Sequence, residues 1–161
     1  MTPPVSLRTA TAGDTGFLTA VYASTRMEEL AATDWTDAQK TEFCRMQSTA
    51  QDAHYRQHYL TAEFQVIESA GTPAGRLYVD RWTREIRIMD IALLPEHRGM
   101  GIGTRLLRDL QREAAGCGKS LSIHVERFNP ARHLYERLGF RIIEDKGVYQ
   151  LMEWTPADDI T

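Results

Sequence analysis

The sequence has few cysteines, little excess charge and no long apolar run. Its two cysteines, Cys44 and Cys117, have neither the spacing of a metal site nor that of a redox pair. The 19 basic and 22 acidic side chains give a net charge of -3, which provides no positive field for a nucleic-acid backbone. No segment approaches the roughly 18 apolar residues of a membrane helix, and the first residues lack a signal-peptide pattern. These absences predict a cytoplasmic protein without nucleic-acid or membrane partners.

The length and composition indicate one domain with a single core. The 161 residues include 42% hydrophobic and 25% charged side chains, proportions typical of a globular domain. We therefore expect one domain over residues 1–161. Within it, residues 1–62 form a strand and two helices, residues 63–128 form the central sheet, and residues 129–154 form a short helix and two closing strands.

Helix signals dominate the first third of the chain. Residues 5–10 read as a strand, and Asp14 is placed to cap a first helix. Thr36 and Gln39 have the spacing of a capping box, which predicts that a second helix begins there. The expected buried face of this second helix consists of Phe43, Met46, Ala50 and Ala53.

Apolar and polar residues alternate in the central segment, as they do in β-strands. Residues 64–67 and 77–82 are predicted strands around a turn at residues 71–75. A third strand follows over residues 86–94. Strict alternation predicts that Ile86, Ile88 and Asp90 share one face and that Met89, Ile91 and Leu93 share the other.

The remaining pattern completes a mixed sheet. Residues 104–115 show helical spacing, residues 119–125 read as a strand, and residues 129–138 read as a short helix before strands over 140–143 and 148–154. We therefore predict an α/β (α+β) fold with a mixed, mostly antiparallel sheet of about seven strands and about four helices. Only the two strands joined by the crossover helix need run parallel.

Three alternating glycines separate the third strand from the crossover helix. Gly99, Gly101 and Gly103 let the backbone approach a ligand closely, and their N–H groups, the helix dipole and Arg98 all favour an anion such as a pyrophosphate. The segment lacks the lysine of a P-loop. It also has Thr104 where a dinucleotide-binding fingerprint has its third glycine. A third class of phosphate binder is therefore indicated.

Two segments carry a family resemblance. Residues 91–103, which contain Arg98-Gly-Met-Gly-Ile-Gly103, resemble motif A of the GNAT acetyltransferases, and residues 129–140 resemble the family's motif B. The resemblance implies acetyl-CoA as co-substrate and a small-molecule or peptide amine as acceptor. The implied acetyl-CoA contacts are Ile91, Leu93, Arg98, Gly99, Met100, Gly101, Ile102, Gly103, Thr104, Asn129 and Arg132.

The same resemblance implies catalytic roles. Tyr135 matches the tyrosine that protonates the leaving thiolate, and the backbone N–H of Leu93 is aimed at the thioester carbonyl. An alternative role for Tyr135 is that of a core anchor. The base is open: Asp90 in an apolar strand is one candidate, and an alternative role for it is a bond to a neighbouring loop. Glu85, His124 and Glu126 are further candidates for the base.

Other features leave alternatives open. His54 and His58 have a zinc-compatible spacing without the glutamate of a protease motif, so we predict no metal site. The main functional prediction is direct acetyl transfer to an amine, and the alternative is a non-catalytic acyl-CoA sensor. The closing strands also offer an edge for a homodimer. The candidate acceptor contacts are Arg26, Glu28, Glu29, Trp35, Gln47 and Tyr55.

Overall fold

A mixed sheet of seven strands organises residues 2–156, the part of the chain that the computed structural model describes. Met1 and residues 157–161 of the predicted single domain lie outside the described residues. The strands are β1 (Val5–Thr9), β2 (Glu63–Ser69), β3 (Thr72–Arg81), β4 (Glu85–Leu93), β5 (Ser120–Glu126), β6 (Arg141–Asp145) and β7 (Tyr149–Trp154). The described α-helices are α1 (Thr15–Ala31), α2 (Asp37–His58), α3 (Ile102–Cys117) and α4 (Arg132–Arg137).

The strand order is β1-β2-β3-β4-β5-β7-β6, and among these neighbours only β4 and β5 run parallel. They are the two strands that α3 connects, as a crossover connection requires. The predicted fold class is therefore confirmed. At the far edge lies β6, and the homodimer through this edge stays a prediction. Among residues 2–156, no helix combines the length and apolar character that crossing a membrane requires.

The N-terminal helices begin in different ways. At α2 the capping box is confirmed: Thr36 Oγ1 accepts from the Gln39 N–H at 3.1 Å, and Gln39 Oε1 accepts from the Thr36 N–H at 2.8 Å. Asp14 is the N-cap residue of α1 as predicted, but its side chain makes no capping hydrogen bond to this helix. Its carboxylate instead accepts from the Thr11 N–H at 2.7 Å and from Arg8 at 2.9 Å. These bonds close a short 3₁₀ turn ahead of the helix.

The predicted buried face of α2 is wrong at three of its four residues, while Phe43 is partly buried against the α1–α2 cluster. Met46 is 56% exposed, and Ala50 and Ala53 are exposed as well, whereas Cys44 and Ser48 are buried. The reason is that α2 packs on α1 through a cluster in which Cys44 meets Tyr22 and Leu30 of α1. This contact with α1 places Cys44, and not Met46, on the buried side of α2.

The turn between β2 and β3 is tighter than predicted. It consists of Ala70 and Gly71, which both have positive φ, at 50° and 83°, between the paired residues Ser69 and Thr72. Two left-handed residues form the type of turn that suits a twisted hairpin. Residues 72–75, which the sequence places in the turn, therefore belong to β3.

A β-bulge at Met89 interrupts β4. In the register with β3, Val79 is paired with Ile88 and the preceding Tyr78 is paired with Asp90, so that Met89 is the additional residue. A bulge bends the strand and increases its local twist. It also shifts the phase of side-chain alternation by one residue, because successive residues point to opposite faces.

The phase shift corrects the predicted faces of β4. Ile86 and Ile88 before the bulge and Ile91 and Leu93 after it all pack in the same core cluster with α3. Asp90 therefore lies on the other face of the sheet from Ile88, and the prediction that it shares a face with Ile86 and Ile88 is wrong. Strict alternation failed because it does not account for a bulged residue.

β4 and β5 separate beyond the bulge. Their parallel pairing covers residues 85–88 of β4 and 120–123 of β5. From there β4 stays paired with β3, and β5 stays paired with β7. A wedge-shaped gap therefore opens between residues 89–93 and residues 124–126. It lies directly before the glycine segment and is called the β4–β5 gap below.

The close approach of β3 and β4 at Gly75 generates a stability prediction. A Cβ on Gly75 would lie 2.1 Å from the carbonyl oxygen of Ala92, which is backbone and has little freedom to move. We expect Gly75→Ala to lower the free energy of unfolding by about 2 kcal/mol or more, as overpacking of a tight site does. Chemical denaturation measures this change.

Gly116→Ala is the matched control. A Cβ on Gly116 has nothing within 4 Å, and the residue lies in α3, where alanine is favoured over glycine. This variant is expected to be as stable as the parent protein or more stable. Equal stability of the two variants would contradict the tight β3–β4 contact.

Candidate active site

The backbone of β4 presents hydrogen-bonding groups to the β4–β5 gap. The Leu94 N–H donates to the Ala74 carbonyl oxygen at 2.8 Å across β3. In an antiparallel pair, such bonded residues alternate with residues whose N–H and C=O groups point away from the partner strand. Leu93 and Ile91 are the alternate residues, so their N–H groups point away from β3 and into the gap. Both were predicted to contact acetyl-CoA.

The glycine segment closes one end of the gap. Gly99 and Gly101 have φ of 75° and 82°, a left-handed conformation that glycine adopts without strain, and Gly101 is the residue that caps α3. Between them, Met100 is 46% exposed. Gly103 and Thr104 follow in the first turn of α3. The free N–H groups of this helix end and its dipole favour an anion at the loop.

Ile102 fixes the loop to the protein interior. Its side chain is fully buried in the core cluster between the sheet and α3. Ile102 was predicted to contact acetyl-CoA, and its burial means that only its backbone lies at the surface of the loop. On the outer side, the Thr2 hydroxyl lies 2.7 Å from where a Cβ on Gly101 would be.

Arg98 ties the glycine loop to the end of β4. Its Nε donates to the Leu93 carbonyl oxygen at 2.9 Å, and Nη2 lies 3.5 Å from Ser24 Oγ of α1. Arg98 is exposed, but these two contacts keep its guanidinium beside the gap. Its charge stays near the loop, while its hydrogen bonds hold the carbonyl next to the N–H that faces the gap.

Asn129 and Arg132 hold the beginning of α4. Asn129 Oδ1 accepts from the Ala131 N–H at 2.9 Å. Arg132 Nη1 donates to Gln150 Oε1 at 3.0 Å and to the Arg127 carbonyl oxygen at 3.2 Å. Both side chains therefore position the helix that follows the gap. Their predicted contacts with the coenzyme A arm stay predictions.

Tyr135 is buried on α4, with 5% of its surface exposed. Its ring packs edge-on against Phe140 with centroids 5.7 Å apart, in the same core cluster as Ile91 and Leu93. Burial raises the pKa of the phenol, and the negative charge of Asp90 raises it further. Tyr135 therefore stays protonated at neutral pH, and the core-anchor role is compatible with a proton-donor role.

Asp90 forms a buried ion pair with Arg76 of β3. Arg76 Nη2 lies 2.6 Å from Asp90 Oδ2 and 3.2 Å from Gln51 Oε1, and the guanidinium stacks near the rings of Tyr22 and Tyr78. Burial raises the pKa of Asp90, and Arg76 opposes this rise. The alternative role predicted for Asp90 was a bond to a neighbouring loop. That prediction is wrong, because the partner of Asp90 is Arg76 in strand β3. Sequence reasoning missed Arg76, because a lone arginine in a strand shows no partner.

Two of the other candidate bases, Glu85 and His124, belong to a polar network that runs from the paired half of β4 and β5 to the start of the gap. The third, Glu126, lies 3.5 Å from Arg26. Glu85 accepts from Ser122, and Arg87 Nε donates to Ser122 Oγ at 2.8 Å. Arg87 Nη1 also lies 3.2 Å from His124 Nδ1. Burial lowers the pKa of His124, and the positive charges of Arg87 and Lys146 add to this effect. Glu85 and His124 therefore have structural partners.

Two of the predicted acceptor contacts lie near Asp90. Burial raises the pKa of the Tyr55 phenol, and the negative charge of Asp90 adds to this rise. The positive charge of Arg26 in turn opposes the rise in the pKa of Asp90. Arg26 Nη1 lies 3.0 Å from Glu29 and 3.5 Å from Glu126. Trp35 instead packs against Phe43 with ring centroids 5.2 Å apart, and Glu28 and Gln47 are exposed.

His54 and His58 on α2 contact each other through their rings. The rings of His54 and His58 lie 4.4 Å apart, between centroids. Within the described part of the chain, no group of three or more histidine, cysteine, aspartate or glutamate side chains is positioned to hold a metal ion.

The order of gap, glycine loop and buried tyrosine agrees with a known sequence family. The sequence profile of the Acetyltransferase (GNAT) family matches residues 19–140. The chain belongs to the GNAT family. Streptothricin acetyltransferase from Streptomyces lavendulae is 42% identical over 94 residues, which cover 54% of this chain and 49% of the relative. This GNAT chain thus matches about half the length of that relative.

Solved structures with low sequence identity share the GNAT fold. PaiA N-acetyltransferase from Thermoplasma acidophilum, solved in complex with coenzyme A, has a TM-score of 0.71 and 18% identity over 94% of this chain and 99% of its own. An acetyltransferase from Thermus thermophilus has a TM-score of 0.68 and 20% identity over 96% and 99% of the two chains.

The Arg76–Asp90 pair generates a pH prediction. We expect Arg76→Met to leave Asp90 buried without its partner, which costs about 3 kcal/mol of stability and raises the pKa of Asp90 further. A raised carboxyl pKa supplies stability at low pH that is lost as pH rises through the folded-state value. The deficit against the parent protein should therefore be larger at about pH 8 than at about pH 5.

Chemical denaturation at the two pH values measures the deficit. Arg45→Met is the control, because Arg45 forms an exposed pair with Glu42 on α2 and exposed pairs contribute little. The same deficit at both pH values would contradict the coupling of Arg76 to Asp90.

Proposed function

We propose that this GNAT protein is an N-acetyltransferase that moves an acetyl group from acetyl-CoA to an amine by direct attack. The observation that carries the proposal is the pair of backbone N–H groups, of Ile91 and Leu93, that face the β4–β5 gap directly beside the glycine loop. An extended molecule with a phosphate end and an amide-containing arm matches this arrangement of donors. Acetyl-CoA is such a molecule.

The residues present fit acetyl-CoA. Gly99 and Gly101 adopt left-handed backbone, which brings N–H groups to the start of α3 where a pyrophosphate is favoured. Ile91 is the donor for a pantetheine amide, and the Leu93 N–H stabilises the negative charge that develops on the thioester oxygen. Arg98 donates to the carbonyl oxygen of Leu93, in the peptide group that follows the one carrying the Leu93 N–H. None of these contacts needs a side chain that is already engaged elsewhere.

Tyr135 and Asp90 divide the proton transfers. The neutral amine nitrogen attacks the thioester carbonyl carbon, the new C–N bond forms, and the C–S bond breaks. Asp90 takes the proton that the nitrogen loses, since burial raises its pKa towards that of a useful base. Tyr135 gives its proton to the departing sulfur. Solvent then takes the proton from Asp90 and returns one to Tyr135. One proton thus moves from nitrogen to sulfur overall, and the products are an acetamide and coenzyme A.

The first acceptor to test is streptothricin. The relative from Streptomyces lavendulae that bears this name is 42% identical over 94 residues, which is a higher identity than that of the structural relatives described above. Arg26 of α1 and Tyr55 of α2 interact with the charge of Asp90, so we expect an amine to reach Asp90 from the side of these two helices. An amine that enters there meets Asp90 before the thioester.

Calorimetry and turnover test this function. We expect coenzyme A to bind and acetyl-CoA to release free thiol when streptothricin or another amine from a panel is added. Met100→Glu places a negative charge on the glycine loop and should weaken coenzyme A binding about tenfold or more through repulsion of the phosphates. Met46→Glu, at a similarly exposed methionine on α2, should leave binding unchanged.

The outcomes separate the proposal from its alternatives. Absence of coenzyme A binding would show that the proposed function is wrong. Binding without turnover on any amine would support the acyl-CoA sensor instead.

Tyr135→Phe tests the proton donor. We expect kcat to fall about 100-fold, as for loss of a positioned acid, while KM for acetyl-CoA changes less than about twofold. Because burial and Asp90 raise the phenol pKa, the parent enzyme should keep this acid protonated up to at least about pH 10. Tyr59→Phe, at the C-cap residue of α2, is the control. Equal kcat for both variants would assign Tyr135 to packing alone.

A further inference from the structure

A polar cluster lies on the sheet face opposite α3, where β4 and β5 begin to separate. Its centre is His124 of β5, which is exposed, whereas its neighbours Ile123 and Val125 are buried in the core cluster with α3. Successive residues of a strand point to opposite faces, so the His124 ring lies on the face away from α3. A ligand in solvent can therefore reach this ring. Together with Arg87 and Lys146, it is called the His124 site below.

Arg87 of β4 fixes the orientation of the His124 ring. The Arg87 side chain is 14% exposed, and it is held by Ser122 Oγ at 2.8 Å and by Glu85 Oε2 at 3.2 Å. Its guanidinium also lies over the ring of Trp82, 4.8 Å from the centroid. Arg87 Nη1 lies 3.2 Å from His124 Nδ1. A guanidinium carries donors only, so Nδ1 accepts this hydrogen bond.

The proton of the His124 ring is therefore on Nε2. Burial lowers the pKa of His124, and the positive charges of Arg87 and Lys146 add to this effect, so the ring is neutral at neutral pH. A neutral imidazole has one donor nitrogen and one acceptor nitrogen. Since Nδ1 is the acceptor, Nε2 is the donor.

This donor faces a second donor instead of an acceptor. His124 Nε2 lies 3.3 Å from Lys146 Nζ, and an ammonium group has three donors and no acceptor. Glu144 Oε1 lies 3.2 Å from the same Nζ and accepts from one of these donors. Among residues 2–156, no oxygen atom accepts from His124 Nε2. The site thus has two converging donors and is one acceptor short.

A carboxylate supplies the acceptors that the site lacks. One of its oxygen atoms can accept from the His124 Nε2–H, and the other can accept from the Lys146 ammonium group in a charge-assisted bond. The formal charges of the cluster are otherwise balanced, because Arg87 is paired with Glu85 and Lys146 with Glu144. A singly charged ligand therefore brings less uncompensated charge than a doubly charged one. The Lys146 side chain is 47% exposed, so the bound group stays in contact with water.

We propose that His124 and Lys146 bind the carboxylate group of a small molecule, and that Arg87 is the positioning residue that directs the His124 N–H towards it. The ligand is held on the same face of the sheet as Asp90. The glycine loop takes no part in the site, and the binding does not depend on acetyl transfer.

NMR of the histidine rings tests the proposal on the full chain. Protein labelled with ¹⁵N-histidine is titrated at about pH 7.5 with sodium acetate, which replaces sodium chloride so that the ionic strength stays constant. The sequence has five histidines, and the signals of His124 are assigned by their loss in His124→Gln. We expect the ring proton on Nε2 and a saturable shift of this nitrogen with acetate. Acetamide lacks the charge and should bind at least about tenfold more weakly.

Lys146→Met tests the charged donor. The variant should weaken acetate binding about tenfold, since the charge-assisted bond is lost. Lys40→Met, at a lysine of α2, is the matched control and should bind acetate as the parent protein does. Thermal melting of each variant in parallel confirms that it is folded.

Arg87→Met tests the positioning role. Without the guanidinium, Nδ1 has no donor to accept from, so the ring proton is expected to move to Nδ1 and Nε2 to accept from Lys146. Acetate binding should then fall about tenfold or more. The ¹⁵N shifts of the two ring nitrogens report the position of the proton, which a purely structural role of Arg87 would leave on Nε2.

Four results would overturn the proposal: a ring proton on Nδ1 in the parent protein, no saturable shift with acetate, equal binding of acetamide, or undiminished binding by folded Lys146→Met. The readout needs neither acetyl-CoA nor turnover. Failure here with intact acetyl transfer would leave the proposed function standing. Acetate binding by a protein that acetylates no amine would leave the His124 site standing.

Discussion

The extra residue in β4 is the constraint on which the remaining structure depends. With Met89 unpaired, β4 bends away from β5 after four paired residues, and the sheet opens where its two parallel strands would otherwise continue. The same shift in phase keeps Ile91 and Leu93 in the hydrophobic core while it turns Asp90 to the opposite face. One irregularity therefore creates the gap, lines one of its walls with free backbone groups, and supplies a carboxylate on the other side.

The elements around the gap are linked to one another by specific contacts rather than by proximity alone. Arg98 joins the glycine loop to the last peptide of β4, and Arg76 joins β3 to Asp90. Asn129 and Arg132 hold the start of α4, which carries Tyr135 into the same core cluster. Charged side chains thus fix the positions of backbone groups, and the side chains proposed to move protons are held by burial.

Local signals predicted a large part of this arrangement. The capping box at Thr36 and the three alternating glycines are short patterns whose geometry is set by neighbouring residues, and the structure has both where the sequence places them. The number of strands and the parallel pair likewise follow from hydrophobic periodicity and one crossover helix. The bulge at Met89 could not be predicted, because register depends on the partner strand. Arg76 could not be paired with Asp90 for the same reason, and α2 buries Cys44 because of its contact with α1.

The fully buried Ile102 has a consequence for how the glycine loop would recognise the pyrophosphate proposed to bind there. A loop whose last residue is anchored in the core has less conformational freedom before any ligand arrives, so that less ordering entropy is lost on binding. Ile102 then contributes both to the affinity of the loop and to the packing of α3 on the sheet. Mutations deep in the interior, far from any ligand atom, would in this molecule weaken recognition by letting the loop sample other shapes.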